Sequence, residues 1–259
     1  MRTFTLPLIK ASVLALTAFA FAGQLAVASV IPMSWDFGSD TGKDDLTDFT
    51  VTGTSSLQAD AARLSRSSTS FGTIQALTQF TDLGSGANKN FEIQSVFTPV
   101  QSLWSQDFER VGLVGLASSG TSDSSGIAAV LHRGSGNSPV LLFRDGINGG
   151  SNTSQAWTGN FATGETYMAS LKGTYSGANV TLDFTLTDSD SHSQTLSETF
   201  TVASRDGQYF GFGARGNATG AGDLQIDYDT FSVIPEPGTL ALLGIAGLSL
   251  VAFGRRRKD

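Results

Sequence analysis

The amino-acid sequence predicts an all-β protein built as a two-sheet antiparallel sandwich. Polar and apolar residues alternate along several segments, such as residues 180–186, which is the period of a strand with one solvated face. Uninterrupted apolar runs at 111–116, 127–131 and 140–143 predict strands buried on both faces. Clusters of Gly, Ser and Asn separate these segments. The pattern predicts about a dozen strands at short spacing, as is typical of a sandwich.

Residues 1–28 have the pattern of a secretory signal peptide. A basic flank precedes an apolar core at 11–22, and a small-x-small sequence formed by Ala26, Val27 and Ala28 follows it. We expect signal peptidase to cleave there, so that Ser29 begins the mature chain. The alternative is an N-terminal membrane anchor, but the apolar core is short for a span and it ends at a processing site.

The mature body, residues 29–233, is acidic and contains no cysteine. The two ends of the chain carry six of the 16 basic and two of the 23 acidic residues, which leaves the body with 10 basic residues, 21 acidic residues and a formal net charge of −11. Such a charge disfavours nucleic acid and anionic lipid and favours cations or neutral glycans as partners. Without disulfides, an exported domain of this length depends on its apolar core for stability.

The last strands of the body suggest a narrower fold. Segments 157–186 and 209–212, followed by residues 227–233, resemble the late half of a concanavalin-like (LamG-like) jelly roll. A change in the alternation at Thr230 predicts a bulge within the final strand. The resemblance implies that this strand lies beside the first strand, at 35–37 or 49–52.

The C-terminal segment, residues 234–259, predicts that the protein is directed to a membrane. Pro235-Glu236-Pro237 is an extended break, because each proline fixes its own φ and disfavours helix in the residue before it. A single transmembrane helix is expected at about 239–254, and it is marginal in length. The chain then ends in a basic cluster that keeps this end cytoplasmic and places the body across the membrane: Arg255, Arg256, Arg257 and Lys258.

This segment resembles the PEP-CTERM sorting signal of Gram-negative bacteria, with Pro235, Glu236 and Pro237 as its signature. The resemblance implies that an exosortase-type membrane enzyme recognises the tripeptide. The body would pass through the inner membrane, remain anchored there transiently, and move to the cell surface or the exopolysaccharide matrix. The alternative is an ordinary tail anchor that is never cleaved.

Two acidic segments share some features with calcium sites. The sequence nevertheless predicts neither a metal site nor another cofactor. The segment from Asp188 to His192 begins like a calcium loop, but Ser193 stands where glycine is needed and Thr199 where a bidentate Glu is needed. A second group of aspartates, Asp36, Asp40, Asp44, Asp45 and Asp48, could supply oxygen ligands for calcium, but a solvated acidic loop is the favoured interpretation.

The sequence predicts no catalytic residues. It has two histidines, no cysteine and no nucleophile elbow, and its glutamates lack the spacing of jelly-roll glycosidases. The segment 211–216 matches a dinucleotide fingerprint but is followed by a turn rather than a helix, which favours a strand ending in a glycine loop.

A binding or structural role remains. Exposed aromatic rings are the usual sugar-binding platforms of sandwiches, and Trp104, Trp157 and Tyr175 are candidates because turns or polar residues surround them. The first hypothesis is a surface-sorted, lectin-like protein associated with the exopolysaccharide matrix. The second is a structural matrix protein without a defined ligand, and the third is a glycan-active enzyme.

Overall fold

A computed structural model describes residues 33–37, 46–58, 61–80, 90–101, 103–201, 207–217 and 223–235. Within these residues the chain forms fifteen strands and one turn of 3-10 helix, Leu46–Asp48. The strands are β1 Met33–Asp36, β2 Thr50–Thr52, β3 Thr54–Leu57, β4 Ala62–Arg66, β5 Gly72–Gln79, β6 Phe91–Gln101, β7 Arg110–Ala117, β8 Ile127–Arg133, β9 Pro139–Asp145, β10 Ser151–Ala156, β11 Tyr167–Ser176, β12 Asn179–Thr187, β13 Ser193–Thr201, β14 Tyr209–Gly216 and β15 Leu224–Pro235.

The strands form two antiparallel sheets. Sheet A is eight-stranded, with the order β13-β12-β11-β6-β15-β4-β3 and with β1 also paired to β15. Sheet B is seven-stranded, with the order β10-β9-β8-β7-β14-β5-β2. The predicted two-sheet antiparallel sandwich is confirmed.

Details of the sequence pattern have direct counterparts in the strand pairing. Strand β1 pairs with β15, and Trp35 lies opposite Phe231, so the first and last strands are neighbours as the resemblance implied. The register of β15 against β6 shifts between Tyr228 and Thr230, at the predicted bulge. The uninterrupted apolar run in β7 is buried on both faces.

Aromatic side chains fill the space between the sheets. Phe212 of sheet B lies 4.1 Å from Tyr228 and 5.4 Å from Phe231 of sheet A, measured between ring centroids. Its ring is also 5.5 Å from that of Phe49. Such tilted and edge-to-face pairs add to the free energy gained by burying the rings. This cluster therefore joins the two sheets at the centre of the core.

Candidate functional site

The outer face of sheet B, away from the core, is covered by two loops at residues 118–126 and 145–150. Gln75 donates a hydrogen bond to the backbone oxygen of Ser122 at 3.1 Å, and Thr73 donates to the carboxylate of Asp123 at 3.0 Å. The loops also meet each other, because Asn148 N–H donates to the carbonyl of Asp123. Their inner surface and the sheet form a second apolar cluster: Leu77, Val114, Ala117, Ala128, Val130, Leu142 and Ile147.

At one end of this face three basic side chains form a row, which we call the cationic row: His132, Arg110 and Arg215. In the register of sheet B, Arg110 lies opposite His132 on β8 and opposite Arg215 on β14. The residues next to each in sequence, including Val111 and Ala214, point into the core. Because side chains alternate along a strand, the row lies on the outer face.

The Arg110 guanidinium is the least compensated charge of the row. Arg110 is 5% exposed, and it donates through Nε to Ile147 O at 2.7 Å and through Nη1 to Phe108 O at 3.2 Å. Among the described residues no carboxylate forms an ion pair with it. Burial, together with the neighbouring charges of Arg144 and Arg215, lowers the pKa of Arg110 to about 9.

The other two members of the row differ in charge. Arg215 is partly neutralised, since its Nη1 donates to Thr73 at 2.9 Å and lies 4.0 Å from the carboxylate of Asp123. Burial, Arg110 and Arg144 lower the pKa of His132 to about 4, so its imidazole is neutral at neutral pH. Two arginines directly opposite each other repel. The fold therefore tolerates an unfavourable pair at this position.

The loop before β7, residues 103–109, forms an aromatic rim beside the cationic row. Phe108 is 57% exposed, and its ring centroid lies 6.1 Å from that of His132. Trp104 packs on Phe161 with the centroids 4.4 Å apart. Both Trp104 and Phe108 have positive φ, 70° and 71°. Such backbone strain in a non-glycine residue costs on the order of 1–3 kcal/mol and is concentrated at functional sites.

Hydrogen bonds hold this strained loop in place. The carboxylate of Glu109 accepts from Gln106 N–H at 3.0 Å and from the hydroxyl of Ser105 at 3.3 Å. Thr163 donates to Leu103 O at 2.8 Å. Burial raises the pKa of Glu109, and its carboxylate is already engaged by Ser105 and Gln106 of the same loop. Glu109 is therefore a structural support of the rim.

Polar atoms without protein hydrogen-bond partners are concentrated around the row and the rim. Among the described residues, nine buried side-chain nitrogen or oxygen atoms have no hydrogen-bond partner. Five of the nine belong to this region, although the last of them forms an ion pair with Asp107 at 3.5 Å: Gln75 Oε1, Trp104 Nε1, His132 Nδ1, Arg144 Nε and Arg133 Nε. Since buried polar groups are normally paired, this concentration distinguishes the region from the rest of the body. We call Phe108, Arg110, His132 and Arg215 together the rim site.

The three aromatic residues predicted from the sequence lie in different environments. Trp104 lies in the loop before β7 and packs on Phe161 and against the core. Trp157 is 4% exposed and its indole nitrogen donates to Asn160 O at 2.8 Å, so its ring has no open face for a sugar. Tyr175 is near the far end of β11 and packs against the core. The structure therefore does not bring the three together.

The acidic hairpin tip between β12 and β13 is organised by backbone amides. The carboxylate of Asp188 accepts from the N–H groups of Asn160 at 2.7 Å, His192 at 2.9 Å and Asp190 at 3.1 Å. Burial opposes ionisation, but these donors outweigh it and lower the pKa of Asp188. The carboxylate of this residue is thus already satisfied within the turn.

The second acidic segment is described only in part. Asp48 accepts a hydrogen bond from the indole nitrogen of Trp35 at 3.0 Å. Asp40, Asp44 and Asp45 lie outside the described residues. In the part of the chain that the structure describes, no three His, Cys, Asp or Glu side chains converge as a metal-binding group.

The predicted sorting tripeptide begins where the last strand ends. Pro235 is the final residue of β15 and lies opposite Phe91 of β6. Glu236, Pro237, the predicted span at 239–254, the basic cluster at 255–258 and the signal-peptide region at 1–29 lie outside the described residues. Among the residues that are described, no helix has the length and apolar character to cross a membrane.

Comparison with known families identifies the C-terminal segment. Residues 233–258 match the family described as "PEP-CTERM protein-sorting motif". The chain carries a PEP-CTERM sorting signal. This signal implies export, membrane-anchored transit and processing by signal peptidase and exosortase. No curated protein matches the chain in sequence.

Comparison with solved structures identifies the fold of the body. The seed lectin of Lotus tetragonolobus is 15% identical, with a TM-score of 0.55 over 80% of this chain and 98% of the lectin. The lectin of Bauhinia forficata in complex with GalNAc is 15% identical, with a TM-score of 0.52 over 79% and 99%. Peanut lectin is 11% identical, with a TM-score of 0.53 over 80% and 97%. The body of this PEP-CTERM chain is therefore a concanavalin-like jelly roll.

The rim site was not predictable from the local sequence. Phe108, Arg110 and His132 were not among the site residues that the sequence predicted. One local signal was available, because the charged pair formed by Glu109 and Arg110 begins an otherwise uncharged apolar strand. The partnership with Arg215 depends on register between distant strands, and local sequence does not encode it.

Proposed function

We propose that this protein is exported, sorted to the cell surface and associated with the exopolysaccharide matrix as a carbohydrate-binding protein. Its parts would be a signal peptide at 1–28, a jelly-roll body at 29–233 and a sorting segment at 234–259, with a transmembrane helix at about 239–254. Its processing partners would be signal peptidase, cleaving after Ala28, and an exosortase-type enzyme that recognises Pro235-Glu236-Pro237. The inner membrane would be a transient partner.

The observation that carries the carbohydrate-binding proposal is Phe108. Its side chain is 57% exposed, its backbone φ is strained, and its ring lies beside that of His132, whose Nδ1 has no hydrogen-bond partner. Sugars are bound in this manner, with an apolar ring face stacked on an aromatic residue and hydroxyl groups paired to polar neighbours. The similar lectin from Bauhinia forficata was solved with GalNAc, and another similar lectin was solved with galactose, which supports a sugar as the ligand class.

Neither the buried carboxylate of Glu109 nor the carboxylate of Asp188, which accepts three backbone N–H hydrogen bonds, is an obvious catalytic acid. An enzyme therefore stays the third hypothesis. A structural matrix protein without a ligand is the second. It explains the sorting signal equally well, but it gives no reason for a strained, exposed phenylalanine beside unpartnered polar groups.

A glycan array separates the first two hypotheses. The full chain, purified in a zwitterionic detergent, is expected to bind a restricted set of glycans above background. The array is read with the chain both native and heat-denatured, so that nonspecific adhesion is subtracted. If the native chain binds no glycan on the array above background, this result would contradict carbohydrate binding and favour the structural role.

A further inference from the structure

The rim site has a charge opposite to that of the body around it. The body carries a formal net charge of −11, with only 10 basic residues. Two of these, Arg110 and Arg215, are opposite each other in the cationic row, and Arg144 lies on the same outer face close enough to lower the pKa values of Arg110 and His132. The rim site is thus a local cationic patch within an acidic protein.

The protein relieves the repulsion within this patch only in part. Asp123 lies 4.0 Å from Arg215 and partly neutralises it. The hydrogen bonds of the Arg110 guanidinium go to two neutral backbone carbonyls, those of Ile147 and Phe108, so neither bond supplies a counter-charge. A buried cation without a counter-charge is costly, and its field is strong because little water screens it. An anion at the row would relieve this cost.

We propose that the rim site binds an acidic sugar residue, with its carboxylate or sulfate group against the cationic row and its apolar ring face on Phe108. This inference rests on the proposed carbohydrate-binding function and names the class of ligand. A guanidinium matches the planar, bidentate geometry of a carboxylate and also pairs with sulfate oxygens. The acidic body repels polyanions at a distance, so such a ligand is held only where the local charge is reversed.

The first experiment changes the ligand and leaves the protein native. The affinity of the full chain is measured by calorimetry for trigalacturonate, for its fully methyl-esterified form and for a sulfated neutral trisaccharide. Esterification removes the charge and preserves the sugar. We expect it to weaken binding about tenfold or more, because it removes a charge-assisted pair. Tight binding of the sulfated ligand alone would also support the proposal and would narrow the anion to sulfate.

The second experiment changes the protein. Arg110→Gln is expected to weaken the binding of the acidic ligand at least about tenfold. Lys172→Gln is the matched control, since it removes the same charge from sheet A, and it should bind as the native chain does. A histidine NMR titration needs no substitution, and the chain has only two histidines. The bound anion should raise the pKa of His132.

The outcomes distinguish this inference from the function on which it rests. Equal affinity for the acid and its ester, or binding of neutral glycans alone, would overturn the acidic-sugar proposal and leave carbohydrate binding in place. An unchanged His132 titration with bound ligand would also overturn it. If no glycan of any kind binds, both the proposal and the carbohydrate-binding function fail.

Discussion

Replacing Phe212 with alanine is expected to lower the free energy of unfolding by about 3–5 kcal/mol. The Phe212 side chain is fully buried, and its ring contacts those of Phe49, Tyr228 and Phe231 at the junction of the two sheets. Alanine would remove this apolar surface and leave a cavity that a rigid pair of sheets closes only in part. Urea unfolding, followed by tryptophan fluorescence, measures the difference.

Phe108→Ala is the control for this substitution. It removes the same atoms from a side chain that is 57% exposed, so the free energy of unfolding should change by only about 0.5 kcal/mol. Equal losses for the two variants would show that Phe212 does not occupy the junction described above.

Replacing Pro235-Glu236-Pro237 with three alanines is expected to abolish sorting. The tripeptide begins at the last residue of β15, so the sorting enzyme would meet it where the folded body ends. Prolines hold this segment extended, and alanines would let it adopt a helix. The native chain should lose its C-terminal segment and reach the surface or matrix, and the variant should stay uncleaved in the membrane fraction of a host that has the enzyme.

The matched control for the tripeptide replaces Gly238 and Thr239 with alanines and keeps the three motif residues. It should be cleaved and released like the native chain. Identical fractionation and electrophoretic migration of the native and tripeptide-variant chains would mean that the segment is only an anchor, and the proposed localisation would then be wrong.

The fold was largely predictable because its strands carry local patterns. The hairpin of β12 and β13 and the bulge near Thr230 follow directly from alternating polar and apolar residues. Strand β5 was not recognised, since the core buries one of its faces, the covering loops bury the other, and Gln75 lies fully enclosed beneath them. A buried, hydrogen-bonded glutamine resembles a solvent-exposed residue when only the sequence is seen.

The site was less predictable than the fold because its parts come from different elements. Trp104 was a candidate. Phe108, in the same loop, is distinguished by a positive φ, which no local sequence motif predicts. Arg110 and Arg215 become neighbours only when β7 pairs with β14. Backbone strain and cross-strand register are properties of the assembled sheets, and the sequence pattern of one strand does not contain them.

Carbohydrate binding at the rim site is tested most directly by comparing two exposed side chains. Phe108 is 57% exposed at the rim, and Met168 is 54% exposed on the strand β11 of sheet A. Calorimetry with the strongest array ligand should show Phe108→Ala binding at least about tenfold more weakly than the native chain, as expected for a central aromatic contact. Met168→Ala should bind as the native chain does. Native affinity in the Phe108 variant, or a loss confined to the Met168 variant, would contradict the assignment of the site.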